Sequence, residues 1–287
     1  MASPLPEVTG NTPEFEVASV KENKSGGAAS LNVDLTYSDG PVPSRGLYLA
    51  QNIKLIQFIA FAYRLTTIQL KSVESAVPWT TEERFDINAR AEGNPTKAQY
   101  RLMMQTLLAD RFQLKIHYET RQTPIYALVL AKPGKFGPRL RLHQPDDPVC
   151  TVAQAEPPSG PGWSPTGADA EGFPLACGMT SMKPGVAGRM KDGGRDVPMS
   201  RFAAIMTGVG QIDRPLVDQT GLNGSVDYTL EWKQVAANMG FGENSEADDS
   251  APSFEEALRQ QLGIKMVSQQ SSAEFFIIDH IEQPSPN

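Results

Sequence analysis

The period of hydrophobic and polar positions changes several times along the chain, and each change marks an element. Phe15 to Lys21 alternates apolar and polar side chains, as a half-buried strand does. A Gly/Ser/Ala turn separates it from a second alternating stretch, Leu31 to Tyr37, and Leu47-Tyr48-Leu49 reads as a further short strand. Asn52 is placed to cap a helix over Ile53 to Tyr63, which is apolar on most faces and so belongs between a sheet and another layer. Ile68 to Val73 is expected as a short strand, Pro78-Trp79 as a turn, and Arg84 to Ala89 as an alternating strand. Pro95-Thr96 opens a second helix that runs through Leu108.

After that helix the pattern predicts a strand at Phe112 to Ile116, a polar turn, and a second strand at Ile125 to Leu130, joined as a hairpin. The same order returns roughly 150 residues later, a spacing that suggests one architectural unit used twice. Phe254 to Val267 reads as a helix and a strand, and Phe275 to Ile278 as the second strand of a hairpin. Ser253 caps that helix with Glu256 three positions on, the spacing of a capping box. Val226 to Trp232 corresponds to the strand at Arg84 to Ala89, Ser200 caps a helix at Arg201 to Met206, and Val197-Pro198-Met199 is a short strand before it.

Between Lys132 and Gly194 prolines and glycines crowd together and apolar clusters thin out, which predicts an irregular connector. The expected architecture is therefore α+β, with two related modules, each a mostly antiparallel sheet packed against two helices. The boundaries read as a loose arm over 1–13, a first module over 14–132, a Pro/Gly-rich connector over 133–194, and a second module over 195–287.

Composition adds exclusions. A hydrophobic content of 40% and a charged content of 21% over 287 residues are those of a folded protein with a substantial core. A net charge of −7 argues against nucleic acid as the main partner, because phosphate neutralisation needs a basic face. The most apolar stretch, Ile53 to Tyr63, is far shorter than a membrane span, so direct membrane insertion is not expected. Cys150 and Cys177 are the only cysteines and a candidate disulfide, whose loop would contribute about 3–4 kcal/mol in the chain-entropy model; two unrelated thiols are the alternative.

The chain resembles the soil-associated protein family, an uncharacterised group, on several stretches together. These are the entry strand Phe15 to Lys21, Leu107-Leu108-Ala109-Asp110-Arg111-Phe112, Tyr126 to Val129, Val217 to Gly224, and Gln261-Leu262-Gly263. The closing Asp279 to Asn287 follows the family pattern, altered by Pro286. The resemblance implies an exported protein, periplasmic or secreted, and brings no catalytic residues with it. Each module is also similar in helix and strand order to the short N-terminal domain of secretins and TonB-dependent receptors, which mediates protein contacts in the periplasm.

Candidate chemistry is sparse. No Gly-x-Ser-x-Gly occurs, and Gly162 to Gly167 has the wrong spacing for a nucleophile elbow. His117 and His280 lie at comparable strand positions, half-exposed in the simplest reading and bases in the sharper one. His143 stands beside Asp146 and Asp147, a solvated loop or a metal contact. Asp146, Asp147, Glu243, Glu246, Asp248 and Asp249 are the oxygen-rich candidates for calcium, the one cofactor weighed, although none follows a dedicated loop pattern. Asp86 and Asp227 recur at equivalent positions, as surface carboxylates or as a catalytic dyad. The expectation is a non-enzymatic binding or protein-interaction module with a protein or envelope ligand. Its rival is a hydrolase, calcium-assisted, acting on ester, lactone or glycoside bonds.

Overall fold

The computed structural model describes residues 13–33, 35, 42, 44–150, 167–185, 188–233 and 250–284. It is a mixed α+β structure built on antiparallel sheets. Two compact units form: Val42–Glu119 with the described residues of Met1–Tyr37 and Glu274–Asn287, and Thr120–Ala273. No helix among the described residues is long and apolar enough to cross a membrane.

The first unit holds a sheet of order β1-β4-β3-β2, from Val17–Glu22, Arg84–Arg90, Leu47–Lys54 and Ser30–Leu31. Alternation in β4 buries Phe85, Ile87 and Ala89. Strand β3 passes directly into α1 (Leu55–Tyr63), whose Leu55, Ile56, Phe58, Ile59, Phe61 and Ala62 are all buried. A helix apolar on nearly every side needs cover on two sides, and α4 (Lys97–Phe112) supplies the second with Tyr100, Met104, Leu107 and Leu108. Between them lie α2 (Thr67–Ala76) and the single turn α3 (Trp79–Glu82).

Two local expectations change here. Ile68 to Val73 is helical, because Thr66 and Gln69 form a reciprocal capping box. Only Val73 of that helix is buried, so no apolar stripe announced it. Asn52 is not a cap but a bulge residue with φ of 57°, placed where the β3–β4 register shifts between Ala50 and Ile53.

The second unit holds a sheet of order β6-β10-β8-β7, from Leu140–Leu142, Ser225–Lys233, Arg189–Pro198 and Met179–Pro184. The helix α5 (Met199–Val209) follows β8 directly, starting at Met199 rather than after a Ser200 cap. Strand β9 (Leu216–Asp218) pairs in parallel with Tyr126–Leu128 of β5 (Lys115–Leu130). The last helix, α6, is α-helical over Phe254–Ala257 and closes with a π turn at Leu258–Leu262. Its core gathers Phe202, Met206, Tyr228, Leu230, Trp232, Leu258 and Leu262.

The stretch expected as an irregular connector thus supplies β6, β7 and most of β8. Glycine disguised it. A side chain on Gly194 would lie 2.2 Å from the Tyr228 ring, and one on Gly193 would lie 2.3 Å from the Gly172 carbonyl. Glycine in a strand marks such close approaches, so this strand carries a loop-like composition for packing reasons.

The two expected hairpins are instead two long strands, β5 (Lys115–Leu130) and β11 (Ile264–His280), neighbours in one sheet with β9. Their polar middles are ladder residues, not turns. Each strand gives residues to both units, so Glu274 to His280 group with the N-terminal unit and not with the module of 195–287. Phe276 is buried there against Tyr63 and Tyr118.

The box at α6 is formed: Ser253 Oγ accepts the Glu256 N–H at 3.3 Å, and Glu256 Oε2 accepts the Ser253 N–H at 2.9 Å. Ser253→Ala is expected to lower stability by about 1 kcal/mol, seen as a reduced urea midpoint at unchanged m-value; an unchanged midpoint would contradict the role.

Candidate functional site

The arrangement of interest sits on the second unit's sheet, opposite its core. In β8 and β10, Met190 pairs with Trp232, Asp192 with Leu230, and Gly194 with Tyr228 on the core side. Alternation sends Lys191, Gly193 and Arg195, with Asp227, Thr229 and Glu231, to the other face. Near Asp227 the register shifts, and Asp196 adopts φ of 56°.

One end of this face is covered by residues 143–150 and 167–177. Cys150 and Cys177 are joined by a disulfide, their Cα atoms 5.3 Å apart. Phe173 is buried beneath two guanidinium groups, Arg141 at 4.4 Å and Arg195 at 5.7 Å from the ring centre. Arg195 is only 4% exposed and donates to Asp147 (2.6 Å), Asp169 (2.9 Å) and the Pro174 carbonyl (2.7 Å). Burial opposes ionisation of Asp147, yet the Val149 N–H and Arg195 outweigh it and hold this carboxyl below the usual range.

Asp227, 2% exposed, gathers three donors: Arg141 Nε at 3.0 Å, His143 Nδ1 at 2.8 Å and the Asp196 N–H at 2.9 Å. A proton on His143 Nδ1 facing that carboxylate leaves Nε2 with its lone pair, and Nε2 lies 3.4 Å from Cys150 Sγ. The outcome is a chain of contacts, Asp227 to His143 to Cys150 to Cys177, next to a network of two arginines and three carboxylates.

The other end of the face is open. There Arg139, Arg141, Lys183 and Lys191 line a hollow of about 420 Å³, floored by Gly193 and Thr229. Its central acid is Glu231, which Arg189 and Lys191 approach at 3.4 Å and Arg139 at 3.8 Å. On the core side, beneath, burial pushes the Asp192 carboxyl up to about 7, and the Tyr228 hydroxyl donating at 2.7 Å pulls partly against it.

The candidates drawn from the sequence fall in several places. Asp86 belongs to the first unit, where it accepts the Asn52 N–H at 2.8 Å and Asn23 Nδ2 at 2.7 Å. It holds a bulge just as Asp227 does. His117 is exposed and pairs with Asp279; His280 is exposed and pairs with Glu282. Asp146 is exposed, while Asp147 is engaged with Arg195. Glu243, Glu246, Asp248 and Asp249 lie outside the described residues. Trp79 and Trp232 pack on core clusters.

His143 and Arg195 are the site residues that sequence reasoning undervalued. The legible sign for His143 was its place seven positions before a cysteine, and for Arg195 a cation flanked by glycines and aspartates.

No curated protein and no solved structure matches the chain. A family model does, over residues 56–281, most of the chain. By that match the chain belongs to the family described as "Protein of unknown function (DUF3738)".

Proposed function

We propose that the protein is a binding module working outside the cytoplasm, which takes an anionic ligand, a carboxylate-bearing peptide segment, on the second unit's sheet. The observation that carries this reading is the convergence of Arg139, Arg141, Lys183 and Lys191 on one hollow, where they outnumber the carboxylates Glu171 and Glu231. Cations gathered in a chain of net charge −7 set up a local field that concentrates anions. The Thr229 hydroxyl supplies a neutral donor. The location is supported by the Cys150–Cys177 disulfide, since such bonds persist in oxidising compartments, and by the resemblance to an exported family.

We further propose that the two units are copies of one design. The support is their matching order, β1-β4-β3-β2 against β6-β10-β8-β7. In both, a strand with a left-handed bulge residue, Asn52 or Asp196, runs straight into a helix. In both, a neighbouring strand's aspartate, Asp86 or Asp227, accepts that residue's N–H.

Titration of the purified chain with an oligo-glutamate peptide, at low and at physiological salt, tests the binding reading. Binding that weakens with salt, and falls at least about tenfold in a Lys183→Glu/Lys191→Glu variant, is the expected result. Equal binding by that variant and by the parent chain would overturn it. So would turnover of ester, lactone or glycoside substrates that disappears in His143→Gln, which would establish the hydrolase instead.

A further inference from the structure

We propose that Cys150, Cys177 and His143 form a zinc site that opens when their disulfide is reduced, so that either a sulfur–sulfur bond or a metal ion closes the same loop. This does not rest on the anionic-ligand reading. It stands on the geometry of three side chains and one carboxylate within the second unit.

The potential ligand atoms of His143, Cys150 and Cys177 all lie within 4.8 Å of one another. Zinc binds imidazole nitrogen at about 2.0–2.1 Å and thiolate at about 2.3 Å, so two such ligands at the tetrahedral angle sit about 3.5 Å apart. His143 Nε2 and Cys150 Sγ already stand at 3.4 Å. Two thiolates on the same ion need a separation of about 3.8 Å, which a modest parting of the sulfurs provides.

The supporting shell is also in place. A metal-bound imidazole usually donates its other ring N–H to a carboxylate, which fixes the tautomer and aims the free lone pair. His143 Nδ1 is 2.8 Å from Asp227, and Asp227 is itself held by Arg141 and by the Asp196 N–H. Charge balances: two thiolates neutralise Zn²⁺, and Arg141 neutralises Asp227. A hollow is lined by Val149, next to Cys150, and by Asp227, which holds His143; the fourth zinc position would take a water.

The chemistry closes. A dithiol reductant gives two electrons and two protons to the Cys150–Cys177 bond and becomes a disulfide itself, leaving two protein thiols. Binding of Zn²⁺ then releases both thiol protons and forms two zinc–sulfur bonds and one zinc–nitrogen bond.

The test uses the full chain, reduced with a phosphine that does not compete for metal, freed of reductant without oxygen, and titrated with Co²⁺ and then Zn²⁺. One Co²⁺ per chain is expected, with thiolate-to-cobalt charge transfer and the intense visible bands of tetrahedral coordination, both lost as Zn²⁺ displaces it. The oxidised chain should give neither signal. His143→Gln should weaken binding at least about tenfold, and Asp227→Asn by about 10–100-fold, whereas His117→Gln should leave it unchanged. Circular dichroism of the reduced chain is followed alongside. If it loses structure on reduction and regains it with Zn²⁺, the proposal stands. No uptake by the reduced chain, uptake unchanged in His143→Gln, or lost structure that Zn²⁺ does not restore would each overturn it.

Discussion

Asp227→Ala is expected to destabilise the protein by about 2–3 kcal/mol, most of it for a backbone donor left without its acceptor. The contributions can be ranked. Arg141 has a half-exposed side chain and returns to water at little cost. His143, at 10% side-chain exposure, loses mainly the partner that orients its ring. The largest share comes from the Asp196 N–H, a part-buried donor on a left-handed residue, which costs about 1–3 kcal/mol when left without an acceptor. Asp227→Asn keeps an oxygen for that N–H and should recover about half of the loss. Asp86→Ala, at a more exposed carboxylate with no arginine or histidine upon it, should cost only about 1–2 kcal/mol. Urea denaturation of the three variants measures the order, and an Asp227→Ala cost below about 1 kcal/mol would contradict the bracing role.

The second large effect is a pH dependence centred on Asp192. In the unfolded chain this carboxyl ionises near the ordinary aspartate value of 3.8; in the folded chain it does so at about 7. Between those values the folded state keeps a proton that the unfolded state has lost. Stability from this group is therefore complete below about pH 4 and is lost as pH rises, the loss being finished near pH 7. A displacement of about 3 units corresponds to about 4 kcal/mol as an upper bound. Asp192→Asn removes the ionisation while keeping an acceptor for the Tyr228 hydroxyl. It should match the parent chain at pH 4 and exceed it by as much as about 4 kcal/mol at pH 8. Asp147 works in the opposite sense, because its lowered carboxyl loses its contribution as pH falls below its unfolded value. Equal pH slopes for the parent and Asp192→Asn between pH 4 and 8 would refute the assignment.

Much of this fold was legible wherever local signals agreed. The strand at Arg84–Arg90 alternates cleanly because it buries one face only, and those at Val17–Glu22 and Ser225–Lys233 alternate in sequence closely enough to be read. The box at Ser253 and Glu256 announced its helix. Signals failed where tertiary neighbours rewrote the local rule. Gly193 and Gly194 look like a turn and are a strand, because a carbonyl and a tyrosine ring occupy the space of their missing side chains. The polar centres of β5 and β11 look like turns because periodicity cannot distinguish an exposed ladder from a break.

The site divides the same way. Asp86 and Asp227 could be matched in sequence from the order of apolar positions around them, and each accepts the N–H of a left-handed bulge residue. Their tie to bulges could not be read, since Asn52 and Asp196 carry no sequence mark of a positive φ beyond being Asn and Asp. His143 looked like one more loop histidine. Its approach to Cys150 depends on the turn at Asp147 and on the distant carboxylate that orients its ring.

The passage of β11 into the first unit has a bearing on synthesis. Phe276 completes a core whose other buried members span Val20 to Leu114. An N-terminal unit made first therefore lacks part of its interior until residues 274–280 have also been synthesised. Until then Tyr63 and Tyr118 lack the Phe276 ring that packs on them, so the first unit cannot finish folding when its own residues emerge.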